Sequence, residues 1–408
     1  MKVGIVDAFS TGVNLASDFI AKGVECYHIR TTRTVYPYDL SFKDTLYFDD
    51  NNLIEYLIDI NLSYIIAGSE MGVEITDYLN DKLNKKHSNE HNTTLKRRNK
   101  YLMQRALCDK RIRCISQFIS SCKEEIINWV IRHNKFPVVI KPLDSAASDG
   151  VTVCDDFSGV EIAIDNILGK KNIFGKTNEQ ILVQEFICGT QYFVNTLTWD
   201  GKTYITDIWE QVRTRNRNQS FRFEGMKLCA GDIAITKKIK NYIIDVLSAL
   251  ELNYGPAHNE VILTDKGPVL IESNARLMGA SIADNIFKEN LGYTQSSLCA
   301  DMYINPNKFL SSFYDKEYEI KFNIYEISFL FKKDGFLIRM PKKELLEKLA
   351  SFNHFYSIPK FNRYVTSTVD TQGEPGFLYL SHQSKDIIES EFDFVLSLQK
   401  NDEIFEIK

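Results

Sequence analysis

Long hydrophobic runs are what this sequence lacks first. No uncharged apolar stretch among its 408 residues approaches the ~18 positions needed to cross a bilayer. The opening MKVGIVDAFSTG has no apolar h-region leading to a small-residue cleavage site. A cytoplasmic protein with no membrane partner is expected. A dominant charge is missing too: 49 Lys plus Arg stand against 54 Asp plus Glu, a net of −5. Non-specific nucleic-acid binding needs a broad positive field, so nucleic acid is not expected as a partner. The eight cysteines (Cys26, Cys108, Cys114, Cys122, Cys154, Cys188, Cys229, Cys299) form no C-x-x-C pair. Zinc ribbons and secreted disulfide scaffolds need closer, patterned spacing, and all eight are read as reduced thiols in or near the core.

What is present is an ordinary globular composition, 44% hydrophobic and 25% charged, which excludes disordered and fibrous classes. At roughly 150 residues per domain, the length allows two or three structural units. The first ~30 residues read as a β-α-β opening of the parallel-sheet kind: strand Lys2–Val6, a small-residue turn at 8–12, a helix to about Lys22, and a strand at 24–29. That turn has no G-x-G-x-x-G, so it is taken as a domain start rather than a dinucleotide site. A strand at 64–68 extends the sheet. Residues 80–100 lose hydrophobic periodicity and fill with Asn, Lys and His, the mark of a solvated crossing between units. Within it, His87 to His91 matches H-x-x-E-H, but no apolar face is present to pack the helix that zinc would require, and the match is read as coincidence. Helices are expected from Asn99, over 123–133, over 234–250 and over 342–352, with strand-rich segments between them.

Chemistry concentrates in three stretches. In HNEVILTDKGPVLIESNAR, Asp265, Lys266 and Gly267 signal a turn between two β-rich runs. If facing residue numbers sum to 532, Ile262 faces Leu270, Glu260 faces Glu272 and His258 faces Asn274. Alternation then puts His258, Glu260, Glu272, Asn274 and Arg276 on one side. Two glutamates directly across a strand pair repel, and a divalent cation resolves that repulsion; an all-oxygen set of Glu, Glu and Asn suits Mg²⁺ or Mn²⁺ rather than zinc. A salt-bridged surface hairpin with Arg276 as counter-ion is the alternative. In PVVIKPLDSAASDGVTV, Lys141 closes a buried strand and precedes a loop of small residues whose N–H groups can meet phosphate oxygens; no G-K-[ST] is present. In ILVQEFICGTQYF, a strand followed by Glu185, Phe186 and Ile187 and a Gly turn makes a linker able to read an adenine edge.

Taken in order, these stretches resemble the ATP-grasp superfamily, the carboxylate–amine ligases that include D-alanine–D-alanine ligase and the bacilysin-type L-amino-acid ligases. The resemblance spans nearly the whole chain. The tail YEISFLFKKDGFLIRMP is similar to the extra C-terminal region of the L-amino-acid ligase branch. It implies an α/β chain with α+β lobes: an N-terminal parallel-sheet preATP-grasp domain (1–95), an ATP-grasp domain (96–305) whose lid lies near 138–185, and a C-terminal α+β addition (306–408). By the same resemblance Lys100 and Lys141 hold ATP phosphates, and the loop with Ser145, Ser148 and Gly150 closes over them. Glu185, Phe186 and Ile187 line the adenine slot, and Gln191 stands where the family usually has an acidic ribose ligand. Glu260, Glu272 and Asn274 match the metal set, for two ions in the family's manner; Arg276 matches the residue that steadies the transferred phosphoryl group and the later tetrahedral intermediate. Ala280, four residues on, falls near the acyl pocket, with His258 also on the substrate side. The implied reaction makes an amide from an amino acid or related carboxylate and an amine through an acyl phosphate, releasing ADP and phosphate. Its partners are small molecules, with room for a homodimer. An ATP-grasp enzyme for another carboxylate, or a non-catalytic ATP-binding protein, are the alternatives. The arginines at 213, 215, 217 and 222 are either a substrate-carboxylate site or a solvated basic loop.

Overall fold

The computed structural model describes all residues except 34–40, 144–149, 173–174, 216–220, 280–283, 369–372 and 374. The chain divides into two compact units, one of residues 1–114, 193–208 and 230–319, the other of 115–192, 209–229 and 320–408.

The first unit opens on a parallel four-stranded sheet ordered Asp44–Tyr47, Glu25–Arg30, Lys2–Val6, Tyr64–Ala67. Val3, Ile5, Val6, Ile29, Ile65 and Ile66 are buried, as expected of strands covered on both faces by crossover helices. Thr11–Ala21, Leu53–Ile60 and Gly72–Lys82 supply those helices. The strand Asp44–Tyr47 and the helix Leu53–Ile60 are additions to the expected pattern; the helix buries Leu53, Leu57 and Ile60 at helical spacing, a signal the sequence does contain. Gly12 opens the first helix against the end of the strand Tyr64–Ala67: a Cβ there would stand 2.3 Å from the carbonyl oxygen of Gly68, so only glycine permits the approach.

The 80–100 crossing is solvated only in part: most of 81–90 is exposed, whereas Thr94, Arg97 and Lys100 are buried. His91–Arg97 is a 3₁₀ helix, and Arg97 is 1% exposed with its guanidinium on Asp77 Oδ2 at 2.9 Å. Hydrophobic periodicity is lost here because polar residues pack by pairing with each other. His87 sits in a bend with its ring against Trp199 and Tyr254, while His91 meets the ring of Tyr78. Among the described residues no group of three or more His, Cys, Asp or Glu is arranged to hold a metal.

The helix Lys100–Asp109 starts as expected, with Asn99 Oδ1 accepting from the N–H groups of Tyr101 and Leu102 at 3.0 Å each. It ends in a reversal that overturns one expectation. Cys108 and Cys114 are joined by a disulfide, their Cα atoms 5.8 Å apart, because Arg111 adopts a left-handed φ of 59° and the N–H of Ile112 returns to Leu107 O. Cys188 is exposed and Cys122 and Cys229 half-buried, whereas Cys26, Cys154 and Cys299 are buried. The unit is completed by the helix Ala234–Ala249, the hairpin Tyr254–Thr264 with Gly267–Asn274, the strand portions 193–199 and 202–208, and the helices Asp284–Leu291, Gln295–Ile304 and Pro306–Phe313.

The second unit holds an antiparallel sheet ordered Gln117–Ser120, Ile181–Glu185, Val138–Pro142, Thr152–Cys154. The helices Lys123–His133 and Phe157–Ile167 pack Ile126, Val130, Val160 and Ile164 onto Val138, Ile140, Ile181 and Val183. Its other part pairs the second half of Lys202–Arg215 with Phe221–Leu228, then Asn323–Ser328, Phe377–His382 and Phe352–Tyr356, under the helix Lys385–Lys400. The helix expected over 342–352 is a single turn, Lys343–Leu346. Phe352 begins a strand instead, since Phe352 and Phe355 pack on the core that Leu378 and Phe392 share.

Candidate active site

The hairpin is the frame of the site in the first unit. Its turn is tighter than a constant sum of 532 implies: Thr264 pairs with Gly267 and Ile262 with Val269, not with Leu270. A bulge between Glu260 and Val261 then absorbs one residue, and beyond it Glu260 faces Glu272 and His258 faces Asn274. An irregularity in the ladder, which re-aims side chains, thus restores the expected opposition of carboxylates. Buried polar contacts pin this end. Ser273 Oγ donates to Asn259 Oδ1 at 2.7 Å, Asn259 Nδ2 to Val194 O at 2.9 Å, and Gln104 Nε2 to Leu270 O at 2.8 Å.

Two cations meet this end, Lys100 from the helix Lys100–Asp109 and Arg276 from just past the hairpin. Lys100 Nζ lies 3.0 Å from Glu272 Oε1. Arg276 is held by its Nη1 donating to Leu277 O at 2.8 Å and by its backbone N–H donating to Asn274 O at 2.8 Å. Burial pushes its guanidinium down, while Glu272 and Glu260 oppose that. A residue that sequence reasoning missed joins the group: Glu70, in the loop between the strand Tyr64–Ala67 and the helix Gly72–Lys82. Its Oε2 accepts from Arg276 Nε at 2.9 Å, and its Oε1 pairs with Arg98. The Asn274 amide is assigned with its nitrogen toward Glu70, 2.9 and 3.1 Å from the two carboxylate oxygens and 3.3 Å from Glu272 Oε1, because the opposite orientation would set oxygen against oxygen. The available signal for Glu70 was its place just past the carboxyl end of a parallel strand, where open α/β sheets gather ligand-binding groups.

His258 is 5% exposed, and burial, helped by the Arg276 charge, pushes its imidazole well below the usual range. Asn195 Nδ2 donates to Asp207 Oδ1 at 2.6 Å, so Asn195 Oδ1 accepts from His258 Nδ1 at 2.8 Å. Gln295 Nε2 and Thr206 Oγ1 also donate to Asp207. The imidazole is therefore neutral, with its proton on Nδ1 and a lone pair on Nε2.

The remaining predicted residues lie in the second unit or outside the described residues. Lys141, 5% exposed, pairs with Leu182 in the four-stranded sheet. Gly150 follows with φ 67°, and a Cβ on it would stand 2.9 Å from the Pro142 ring. Glu185 ends its strand with Oε1 accepting from Ser116 N at 2.9 Å; Phe186 and Ile187 are half-buried and Gln191 is buried. Ser145, Ser148, Ala280 and Arg217 fall outside the described residues. Arg213, Arg215 and Arg222 lie on the paired strands Lys202–Arg215 and Phe221–Leu228, Arg222 Nη2 being 3.5 Å from Glu224 Oε1. Arg213, Arg215 and Arg222 thus stand on strands.

An ATP-grasp domain is recognised across residues 134–284. The chain is 36% identical over 315 residues to dapdiamide A synthase of Enterobacter agglomerans, covering 75% of this chain and 74% of that protein. The chain belongs to the ATP-grasp carboxylate–amine ligases. ATP-grasp structures repeat the fold at low identity. The L-amino acid ligase from Bacillus licheniformis superposes with a TM-score of 0.77 at 17% identity, over 100% of this chain and 98% of that one. A phosphoribosylglycinamide synthetase from Anaerococcus prevotii gives 0.66 at 16%, over 100% and 99%. As an ATP-grasp ligase the protein is an ADP-forming enzyme that makes amide bonds. The ATP-grasp match contains the whole hairpin, Lys141 and Arg276, and leaves out Lys100 and Glu70.

Proposed function

We propose that this ligase joins an amino acid or a related carboxylate to an amine, with ATP as the phosphoryl donor. The observation that carries the reading is the opposed Glu260 and Glu272, kept opposed by the bulge, with Asn274 and Arg276 following on the same strand end. The donor set fits magnesium: two carboxylates and one amide oxygen, the amide nitrogen already being satisfied at Glu70. When bound, one or two Mg²⁺ ions neutralise the crowded phosphate oxygens.

Lys100 and Lys141 hold the phosphates as point charges. The loop containing Ser145, Ser148 and Gly150 covers them, Glu185, Phe186 and Ile187 take the adenine, and Gln191 the ribose. A substrate carboxylate oxygen attacks the γ-phosphorus, the bond to the ADP oxygen breaks, and Arg276 steadies the transferring oxyanion. The amine nitrogen then attacks the acyl carbon, phosphate departs, and the amine's proton is lost. Because water would hydrolyse the acyl phosphate, the segment 138–185 is assigned as the lid that excludes it. By the family resemblance, His258 and Ala280, four residues past Arg276, serve the acyl side. Within this reading the first domain is 1–95, the ATP-grasp domain 96–305 and the C-terminal addition 306–408; the enzyme works in the cytoplasm on small-molecule substrates.

A product scan by mass spectrometry with ATP, Mg²⁺ and an amino-acid mixture tests this, with phosphate release as the rate. Turnover requires both a carboxylate and an amine, and Glu272→Ala lowers it by about 10²–10³-fold. Undiminished turnover in that variant removes the assignment.

A further inference from the structure

The first unit gathers three carboxylates (Glu70, Glu260, Glu272) and three cations (Arg98, Lys100, Arg276), and one carboxylate, Glu70, touches Arg98, Arg276 and Asn274 together. We propose that Glu70 is a positioning residue of the active site: it fixes the Arg276 guanidinium and turns the Asn274 amide so that its oxygen is presented to a divalent cation. The inference rests on the ligase reading above for the role of Asn274 as a metal ligand.

Glu70 Oε2 accepts from Arg276 Nε at 2.9 Å, Oε1 pairs with Arg98, and the two oxygens receive the Asn274 nitrogen at 2.9 and 3.1 Å. An ionised carboxylate has about four lone-pair sites and no donor, so it accepts from all three at once. A glutamine in its place would offer one oxygen and bring two N–H donors against guanidinium and amide donors. The Asn274 amide nitrogen is assigned to Glu70, with Glu272 Oε1 at 3.3 Å, which leaves the amide oxygen as the atom that can coordinate a cation. Groups that orient a metal ligand from behind set its basicity and direction, and losing one typically weakens metal binding or activity ~10–100-fold. Glu70, Arg98 and Arg276 are each about one-sixth exposed or less, at 16%, 14% and 16% of the side chain, so solvent does not replace the lost contact freely.

The charge gives a second expectation of opposite sign. Removing Glu70 takes one negative charge from beside two guanidiniums, so a metal-free nucleotide anion is held no less tightly, while a cation is held more weakly. A merely structural ion pair, once broken, would loosen the site and weaken both.

The test uses Glu70→Gln in the full chain, with folding checked by circular dichroism and thermal unfolding. Mn²⁺ binding to the ADP-saturated protein is followed by the electron paramagnetic resonance of free Mn²⁺, ADP binding is measured calorimetrically in EDTA, and kcat and KM for ATP are determined. Expected are Mn²⁺ affinity and kcat each ~10–100-fold lower, with ADP affinity in EDTA unchanged or higher and KM for ATP not raised. Mn²⁺ affinity within twofold of wild type, or a parallel loss of ADP affinity in EDTA, overturns the proposal. Should the glutamine variant not fold, Glu70→Asp carries the same comparison, keeping the charge but withdrawing it by one methylene, with a smaller loss of the same sign expected. Absence of carboxylate- and amine-dependent ADP release in the wild type would remove the ligase reading alone; the contrast between Mn²⁺ and ADP would still decide on Glu70.

Discussion

Arg97→Ala is a substitution to which the fold should be highly sensitive. Arg97 is 1% exposed, and its guanidinium donates to five oxygens: Thr93 Oγ1 at 2.9 Å, Leu250 O at 2.9 Å, Glu251 O at 3.1 Å, Asp77 Oδ2 at 2.9 Å and Glu90 O at 3.1 Å. It ties the 3₁₀ turn and the helix Gly72–Lys82 to the end of the helix Ala234–Ala249, three segments of one unit. Truncation leaves the Asp77 carboxylate buried with the uncharged Thr94 hydroxyl as its donor, and three carbonyls lose a donor. Burial already pushes the Asp77 carboxyl up against the pull of Arg97. Breaking one side of a buried pair costs about 3–5 kcal/mol. At roughly 2–4 °C per kcal/mol for a unit near 200 residues, the melting temperature should fall by about 6–20 °C. The assay is thermal and urea unfolding of Arg97→Ala, Asp77→Leu and the double variant. Each single change should be severe and the double less so than their sum, since two apolar groups remove the uncompensated charge. A loss under about 1 kcal/mol for Arg97→Ala, or strict additivity, would refute the reasoning.

Elsewhere in the chain, Glu326 is 3% exposed and accepts from the Tyr379 hydroxyl, with burial pushing its carboxyl from 4.5 to about 7. The folded state therefore holds this proton where the unfolded chain has lost it: the contribution is complete below pH 4.5 and is lost as pH rises through 7. At 1.36 kcal/mol per pH unit, that span amounts to about 3 kcal/mol. Urea unfolding at pH 5 and pH 8 should show Glu326→Gln losing less stability than wild type across the interval, and parallel losses would rule this out. The disulfide closes a short loop, Cys108 to Cys114, for which chain-entropy restriction is on the order of 2 kcal/mol; Cys114→Ser should melt about 4–8 °C lower than the wild type, and the difference should vanish in dithiothreitol. A wild-type melting temperature indifferent to reductant would contradict the bond.

Much of the site was legible because it is local. Lys2–Val6, the Asn99-capped helix and the Glu260–Glu272 opposition each depend on residues within one turn or one hairpin, and alternation or capping chemistry announces them. The expected register still erred toward the turn, where Ile262 faces Val269; the bulge beside Glu260 corrects it, and a ladder irregularity leaves no mark in residue type. Where polar residues bury by pairing across the chain, as Arg97 does with Asp77, a rule that equates polar with solvated fails. The single turn at Lys343–Leu346 and the strand from Phe352 depart from expectation for a related reason: the periodicity of that segment suits a helix, but Phe352 and Phe355 find their partners on a distant sheet.

By itself the sequence determined the identity and order of the chemistry-bearing segments: the buried strand ending in Lys141, the hairpin with two opposed carboxylates, and Arg276 two residues beyond Asn274. Those follow from backbone periodicity, which acts over a few residues. The tertiary structure decided what the carboxylates and cations do to one another. Glu70 lies 206 positions before Arg276, and nothing in local periodicity relates them. They meet because a parallel strand ends where the hairpin ends, and a buried charge must find an opposite charge wherever in the chain it lies.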